Sequence, residues 1–386
     1  MHSRSTPYDV LIVGAGIAGC SLAHALSTLP RATPLRIALL ERSLAEPDRI
    51  VGELLQPGGV NALRKLGLDT CLEGIDAIPV RGYCVVDDGK SVHIPYPGNH
   101  EGRSFHHGRF IMALRAAAQR AKGVEVVEAT VTDLIEDDLT GGVIGVRATR
   151  NGEKETWLAN LVVVADGCFS NFRTVVMGDN GVKSTTKSHF VGAILEDAVL
   201  PIPNHGTVVL CKGFGPVLLY QISQHCTRML VDVKAPLPSD LKVCVRLPLS
   251  TCSNRTQAHI LTNIVPQLPS SLHLPIKAAL DKDRIRRMPN SFLPPVRQGV
   301  RKGVVLIGDA WNMRHPLTGG GMTVAFNDVV TLRTLLSSVE DLGNWNEVKS
   351  AIHTWHWTRK PLSSTINILS VALYDLFGAD GERNRD

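Results

Sequence analysis

Gly14, Gly16 and Gly19 stand in the run Val13-Gly-Ala-Gly-Ile-Ala-Gly, directly after the apolar stretch Tyr8–Val13 and before a helical stretch reaching about Ala25. A Cβ at Gly14 or Gly16 would obstruct a tight turn or the approach of a pyrophosphate, and Gly19 lets the helix lie close to the sheet. Phosphates bind well at such a helix N-terminus, where unpaired N–H groups and the dipole favour negative charge. A second apolar run, residues 36–40, ends at Glu41, whose carboxylate is placed to accept from ribose hydroxyls. Strand, glycine turn, helix, strand and acid together describe a dinucleotide-binding βαβ unit rather than a glycine turn without a ligand. An acid at the strand tip disfavours a 2′-phosphate, so NADP is excluded from this site; NAD and FAD both remain open on this motif alone.

A second run separates them. Val304-Val-Leu-Ile-Gly-Asp-Ala310 reads as a buried strand ending in Gly308-Asp309, which can set a carboxylate against a ribityl chain, a moiety that FAD has and NAD lacks. Ten residues on, Thr318-Gly-Gly-Gly-Met322 turns into a helix. Its glycines, Gly320 among them, allow the backbone to touch an isoalloxazine ring, and its helix N-terminus suits the negative charge of reduced flavin. The third run, Val163-Val-Ala-Asp-Gly-Cys-Phe-Ser170 with Arg173 following, is a strand ending in Asp166-Gly167. By itself it is only a turn, but it lies between the other two. Val13, Gly14, Gly16, Gly19, Glu41, Asp166, Asp309, Gly320 and Met322 are therefore expected at an FAD.

The elements that must position these residues are spread along the chain. Residues 76–100 carry short strand-like pieces, and a helix is expected over 109–121, followed by a strand at 124–127 and a hairpin-like stretch to 160. From 186 to 296 the pattern is sheet-like, with the apolar runs 217–222 and 229–233, and the remainder after 304–307 reads as helical. The expected fold is α/β: a Rossmann-like FAD domain from residues 1–75, 101–180 and 300–335, an inserted mixed β-sheet substrate domain from 76–100 and 181–299, and a C-terminal helical segment, 336–386. At 386 residues, 44% hydrophobic and 20% charged, disorder and coiled coil are excluded. The net charge of +5 carries no dense basic run, so no nucleic acid is expected. The eight cysteines show no C-x-x-C pair and read as reduced thiols rather than metal ligands. His106, His107 and His315 lack metal-ligand spacing and read as structural, so no metal is expected. Residues 1–7 read as neither signal nor transit peptide. No stretch reaches the roughly 18 apolar residues of a spanning helix, so any membrane contact is expected to be peripheral.

The three motifs in this order resemble the p-hydroxybenzoate-hydroxylase-like FAD monooxygenases. Longer blocks resemble one family within that group, the squalene epoxidases: Arg49-Ile-Val-Gly-Glu-Leu-Leu-Gln-Pro-Gly-Gly59, Ser104-Phe-His-His-Gly-Arg-Phe-Ile-Met112, Gly215-Pro-Val-Leu-Leu-Tyr-Gln-Ile-Ser223, Met288-Pro-Asn-Ser-Phe-Leu-Pro-Pro295 and Gly308-Asp-Ala-Trp-Asn-Met-Arg-His-Pro-Leu-Thr-Gly-Gly-Gly-Met322. The resemblance implies epoxidation of squalene to 2,3-oxidosqualene by O₂ through a flavin C4a-hydroperoxide, in sterol synthesis. It also implies electrons from NADPH through a cytochrome P450 reductase, at the cytosolic face of the endoplasmic reticulum membrane. Residue by residue, it implies FAD contacts at Glu41, Arg42, Arg49, Arg115, Val131, Asp309 and Met322. Tyr83 and Gln56 are implied as the pair that shapes the active site beside the flavin. Tyr220, with Leu219 and Pro316, is implied in the substrate pocket. A tyrosine in a strand also reads as a core residue with its hydroxyl satisfied.

The sequence departs from that pattern twice. Residues 243–257 read as an insertion housed in a surface loop, of the kind a retained intron would encode, with a glycosylation sequon at Asn254 expected to stay empty. The chain ends at Asp386, where the family runs on into hydrophobic C-terminal helices, so its membrane region is expected to be cut short. The rival readings are another flavin hydroxylase of the same fold and a catalytically impaired FAD-binding paralogue.

Overall fold

The computed structural model describes residues 8–178, 181–234, 257–282 and 285–377. The inserted segment expected at 243–257 lies outside them but for Gln257, as do the sequon and the final residues 378–386.

The first sheet is built around β1 (Tyr8–Val13), whose last four residues are buried. Parallel to it run β2 (Ile37–Glu41), β8 (Val124–Glu128), β11 (Glu153–Val164) and β17 (Val304–Leu306), in the order β8-β2-β1-β11-β17. β1, β2, β17 and the end of β11 are apolar runs buried on both faces, whereas β8 exposes Glu125 and Glu128 at the sheet edge. β11 is twelve residues long and serves two structures. Residues 153–158 pair antiparallel with β10 (Val143–Arg150), which pairs with β9 (Thr130–Glu136), while residues 159–164 enter the parallel sheet. Helix α1 (Ile17–Ser27) follows the glycine turn, and α2 (Pro57–Leu66) and α3 (His107–Arg120) lie beside it.

The second sheet joins seven strands: β5 (Gly82–Asp87), β6 (Lys90–Pro95), β12 (Thr185–Glu196), β13 (Gly206–Leu210), β14 (Val217–Gln221), β15 (Cys226–Lys234) and β16 (Arg286–Phe292). Their order across the sheet is β16-β12-β15-β14-β13-β5-β6. All its pairs are antiparallel except β5 with β13. Its two faces bury different sets: Leu219, Met229 and Val231 on one, Leu218, Tyr220 and Leu230 on the other. A third, small sheet joins β3 (Leu54–Leu55), β7 (Gly102–Ser104) and β4 (Ile78–Val80) between the two large ones.

Residues 257–281 correct the sheet-like expectation for 186–296. They are helical, ending in α5 (His273–Asp281), with a short α4 (Arg173–Met177) earlier in the chain. The cause is visible in the spacing: Ile260, Ile264, Leu268, Leu272, Ile276 and Leu280 recur every fourth residue, and all six are buried under the second sheet. The chain closes with α6 (Gly321–Leu336), packed on α1 and α2, and the 33-residue α7 (Trp345–Phe377), packed on α6. A buried ion pair, Arg359 with both oxygens of Asp328 at 2.7 and 2.8 Å, fixes α7 to α6, and the guanidinium lies 4.5 Å from the centre of the Trp311 ring.

Candidate active site

The glycine turn has the geometry of a phosphate cradle. Gly14 has φ +104°, and a Cβ there would sit 2.6 Å from Ala165 O. A Cβ on Gly19 would strike Gly14 O at 1.9 Å, so the third glycine is required by contact of helix and turn. A Cβ on Gly16 would meet nothing within 4 Å: its Cα faces open space, as a ligand-approach glycine must. Helix α1 starts at Ile17 with no side-chain cap and no acid in its first turn, leaving its N–H groups for an anion. Glu41 Oε2 accepts from Ala15 N–H at 2.8 Å, which leaves Oε1 for a ribose hydroxyl. Behind the turn, buried Arg115 donates from Nε to Ala15 O and from Nη1 to Ala45 O, each at 3.0 Å, and its Nη2 is 3.7 Å from Glu41. Arg115 therefore holds the turn and the acid together. Val13 is buried at the end of β1, Val131 is half-buried, and Arg42 and Arg49 are exposed.

The other two motifs meet this turn at the ends of β11 and β17. Asp166 accepts from Asn171 N–H at 3.0 Å, while its Oδ1 is buried without a partner. Burial raises its pKa, against the pull of Ser170, its backbone bonds and Arg173. The Arg173 guanidinium donates to Ala310 O at 2.7 Å, Asp309 O at 3.0 Å and Cys168 O at 3.2 Å, stapling the Asp-Gly loop to the Gly-Asp loop. Asp309 is open to solvent yet deep among protein atoms, the mark of a recess floor. Burial pushes its carboxyl pKa up, and the charges of Arg314, Arg49 and Arg173 oppose that shift. Helix α6 likewise starts uncapped, and a Cβ on Gly321 would meet nothing within 4 Å. Gly320 lies under Ile366, 2.5 Å from where its Cβ would be. The Met322 side chain is buried in the core, so its backbone N–H in the first turn of α6 is what it offers. The orphaned Asp166 oxygen, the open sides of Gly16 and Gly321 and two uncapped helix starts fit an FAD.

Beside this cleft lies a second cluster. Gln56, the N-cap residue of α2, donates from Nε2 to Thr318 O at 2.9 Å and to the Tyr83 hydroxyl. Its Oε1 accepts from the Tyr96 hydroxyl at 2.5 Å. Burial raises the pKa of both phenols and keeps them protonated. Tyr220 on β14 is 8% exposed, its hydroxyl 3.5 Å from Glu53 Oε2. That carboxylate forms a two-point ion pair with Arg228 at 2.7 and 2.8 Å, with Glu53 1% and Arg228 4% exposed. Pro316 is half-buried at the start of the turn Pro316–Thr318.

Leu219 is a correction. It points to the opposite face of β14 from Tyr220, into the core under the 257–281 helices. Leu218 and Ile222 share the Tyr220 face, with Ile50, Leu54, Phe190 and Leu317.

Two of the three histidines, His107 and His315, have structural partners, and His106 stands at the N-cap of α3 without a side-chain capping bond. His107 donates from Nδ1 to Gly52 O at 2.8 Å, and burial holds its pKa down at about 4. His315 accepts from Leu317 N–H at Nδ1 and lies 2.9 Å from Ser188 Oγ at Nε2, so it caps the turn Pro316–Thr318. Among the described residues no group of three or more His, Cys, Asp or Glu could hold a metal ion.

Sequence reasoning missed Tyr96, Glu53 and Arg228. Tyr96 carries one signal: it is the single Phe, Tyr or Trp of residues 88–100. Glu53 stands inside the 49–59 block, but nothing local pairs it with a residue 175 positions away.

Residues 158–386 match the family model for squalene epoxidase. Over 386 aligned residues the chain is 48% identical to a squalene epoxidase of Aspergillus fumigatus, covering 97% of this chain and 76% of that protein. It is 43% identical to squalene epoxidase 3 of Arabidopsis thaliana, covering 98% and 70%, and 42% identical to a squalene epoxidase of Schizosaccharomyces pombe, covering 96% and 78%. Among solved structures, a probable FAD-dependent monooxygenase of Pseudomonas aeruginosa superposes with a TM-score of 0.76 at 20% identity, covering 97% of each chain. A Klebsiella pneumoniae protein complexed with FAD superposes at 0.73 and 19% identity, covering 96% of this chain and 91% of that one.

Proposed function

The chain belongs to the squalene epoxidase family, and from that premise we propose that it is an FAD-dependent monooxygenase converting squalene to (S)-2,3-epoxysqualene in sterol biosynthesis. The observation that carries the reading is the meeting of residues 14–19, 166–173 and 309–322, with Gln56 and Tyr83 bonded to the last of these segments through Thr318 O. Bound there, reduced FAD activates O₂; one oxygen atom adds across a terminal alkene, and the other leaves as water with two protons and two electrons.

The residues of the chain hold and orient. Gly14, Gly16 and the start of α1 would take the pyrophosphate, and Glu41 a ribose. Asp309 would accept from the ribityl hydroxyls, and the start of α6 would favour negative charge on the reduced ring. Squalene offers no group for an acid or base to activate, so substrate recognition falls to apolar surface and to exclusion of water. Leu218, Tyr220, Ile222 and Leu317 form a buried apolar cluster beside the Gln56–Tyr83 pair, and we assign the hydrocarbon to the side of it nearest that pair. Tyr83 would serve as a hydrogen-bond donor beside the flavin edge. Its protonated phenol suits that role and not proton abstraction.

Electrons reach the flavin from NADPH through a separate cytochrome P450 reductase. This donor follows from the family resemblance. The chain works at the cytosolic face of the endoplasmic reticulum membrane, where its hydrocarbon substrate dissolves. Among the described residues no helix is long and apolar enough to cross a membrane. The uncharged run 361–374 of α7, with Leu362, Ile368 and Leu369 exposed, supports contact with a membrane surface. Microsomes expressing the chain, given reductase, NADPH and squalene, should accumulate the epoxide. A flavin-loaded chain that makes none would mark an impaired paralogue.

A further inference from the structure

Gln56 stands between two phenols and a carbonyl, and that set allows its amide one orientation. Thr318 O can only accept, so the side-chain NH₂ must face it, at 2.9 Å. Oε1 is then the atom 2.5 Å from Tyr96, and because a carbonyl oxygen can only accept, the Tyr96 hydroxyl donates. The second Nε2 hydrogen is directed at the Tyr83 oxygen. Tyr83 thus receives a bond from Gln56, and its own hydroxyl hydrogen is not engaged by that amide.

Tyr96 is placed for this task. Of residues 88–100 it alone is not exposed: the hairpin of β6 lies at the sheet edge and turns one side chain inward. Its ring meets Tyr83 edge-to-face, with centroids 5.9 Å apart and planes at 88°. The Tyr83 ring in turn rests against Gly206, where a Cβ would come within 3.0 Å of two ring atoms.

We propose that Tyr96 is a positioning residue for the epoxidation: by fixing the Gln56 amide it makes Tyr83 the hydrogen-bond donor of the group. The Tyr96 oxygen is also within hydrogen-bond reach of Tyr83, so the proposal is that bound FAD, and not squalene, which has no lone pair, draws the Tyr83 hydrogen away from it. This rests on the reading of the chain as a squalene epoxidase. No proton changes owner; the bond orients and stabilises.

The test compares wild type, Tyr96→Phe, Tyr83→Phe and the double variant as FAD-loaded enzymes with squalene, reductase and NADPH. Epoxide and hydrogen peroxide are measured per NADPH oxidised, beside bound FAD and its absorption spectrum. Tyr96→Phe should retain FAD and keep the squalene KM within about twofold, while kcat falls roughly five- to tenfold and peroxide release rises. The flavin spectrum should shift in the same direction for Tyr96→Phe and Tyr83→Phe without turnover. The double variant should be no slower than Tyr83→Phe, because both changes cut one chain. An unchanged kcat and spectrum in Tyr96→Phe, or a double variant losing the product of the two single effects, overturns the proposal. A wild type that makes no epoxide counts against the squalene epoxidase reading instead, and the turnover-free spectra still decide the role of Tyr96.

Discussion

Asp309 accepts most strongly from a flavin side chain as a carboxylate, with both oxygens free of hydrogen, yet its position among protein atoms favours the neutral acid. Arg314, Arg49 and Arg173 supply the opposing charge. Asp309→Ala should therefore lose most bound flavin, with Kd raised roughly ten- to a hundredfold, read by flavin fluorescence on titrating the apoprotein; unchanged affinity would remove the residue from the site. This acid, Glu41 and the three glycines were legible in the sequence because each chemical demand falls on a residue type at a fixed place after a strand. Leu219 was not. In a strand buried on both faces the run 217–222 shows no alternation, so the face of each side chain is set by neighbours the sequence does not display. Glu53 and Arg228 were hidden for a related reason: the register of β14 on β15 sets Arg228 opposite Tyr220, and only then does it meet the carboxylate.

The segment carrying Arg49, Glu53 and Gln56 runs from the cofactor cleft to α2, and two buried groups tether it. One is the Glu53–Arg228 pair to β15. Removing one charge leaves the other buried and unpaired, so Glu53→Ala should destabilise the chain by about 3–5 kcal/mol in denaturant unfolding, and a double change to an apolar pair by much less. The other tether is His107, at the start of α3, bonded to Gly52 O. Its pKa is depressed to about 4 in the folded chain, below the roughly 6.5 of an unfolded histidine. The unfolded state therefore binds the proton first, and stability is lost as pH falls from about 6.5 toward about 4. Between roughly pH 7 and pH 5 this one residue should cost about 2 kcal/mol, and His107→Gln should flatten that part of the pH profile. At this scale the parallel strands were legible as short apolar runs. The helices at 257–281 were not, although Ile260 to Leu280 recur at the helical period. In a linear scan Pro266 and Pro269 read only as punctuation that interrupts the run, whereas packing against one sheet face makes the period plain.

Across the whole molecule, the outer face of α7 presents Leu362, Ile368, Leu369 and Leu376 to solvent. If this face meets a bilayer as proposed, the chain should sediment with anionic phospholipid vesicles, and Ile368→Lys with Leu369→Lys should release it while leaving bound flavin unchanged. Equal sedimentation of the two proteins would remove α7 from the contact. A different consequence follows from β17, which completes the parallel sheet beside β11 and delivers Asp309. Ribosomes lay down Gly14 almost three hundred residues before that strand, an interval of roughly 15–60 s at about 5–20 residues per second. For the last 140 or so of those residues, roughly 7–28 s, Val162, Val163 and Val164 form an apolar edge that awaits its β17 partner in a nascent chain. Flavin loading thus waits for Asp309 and α6, and until then the chain carries an apolar sheet edge of the aggregation-prone kind that chaperones shield.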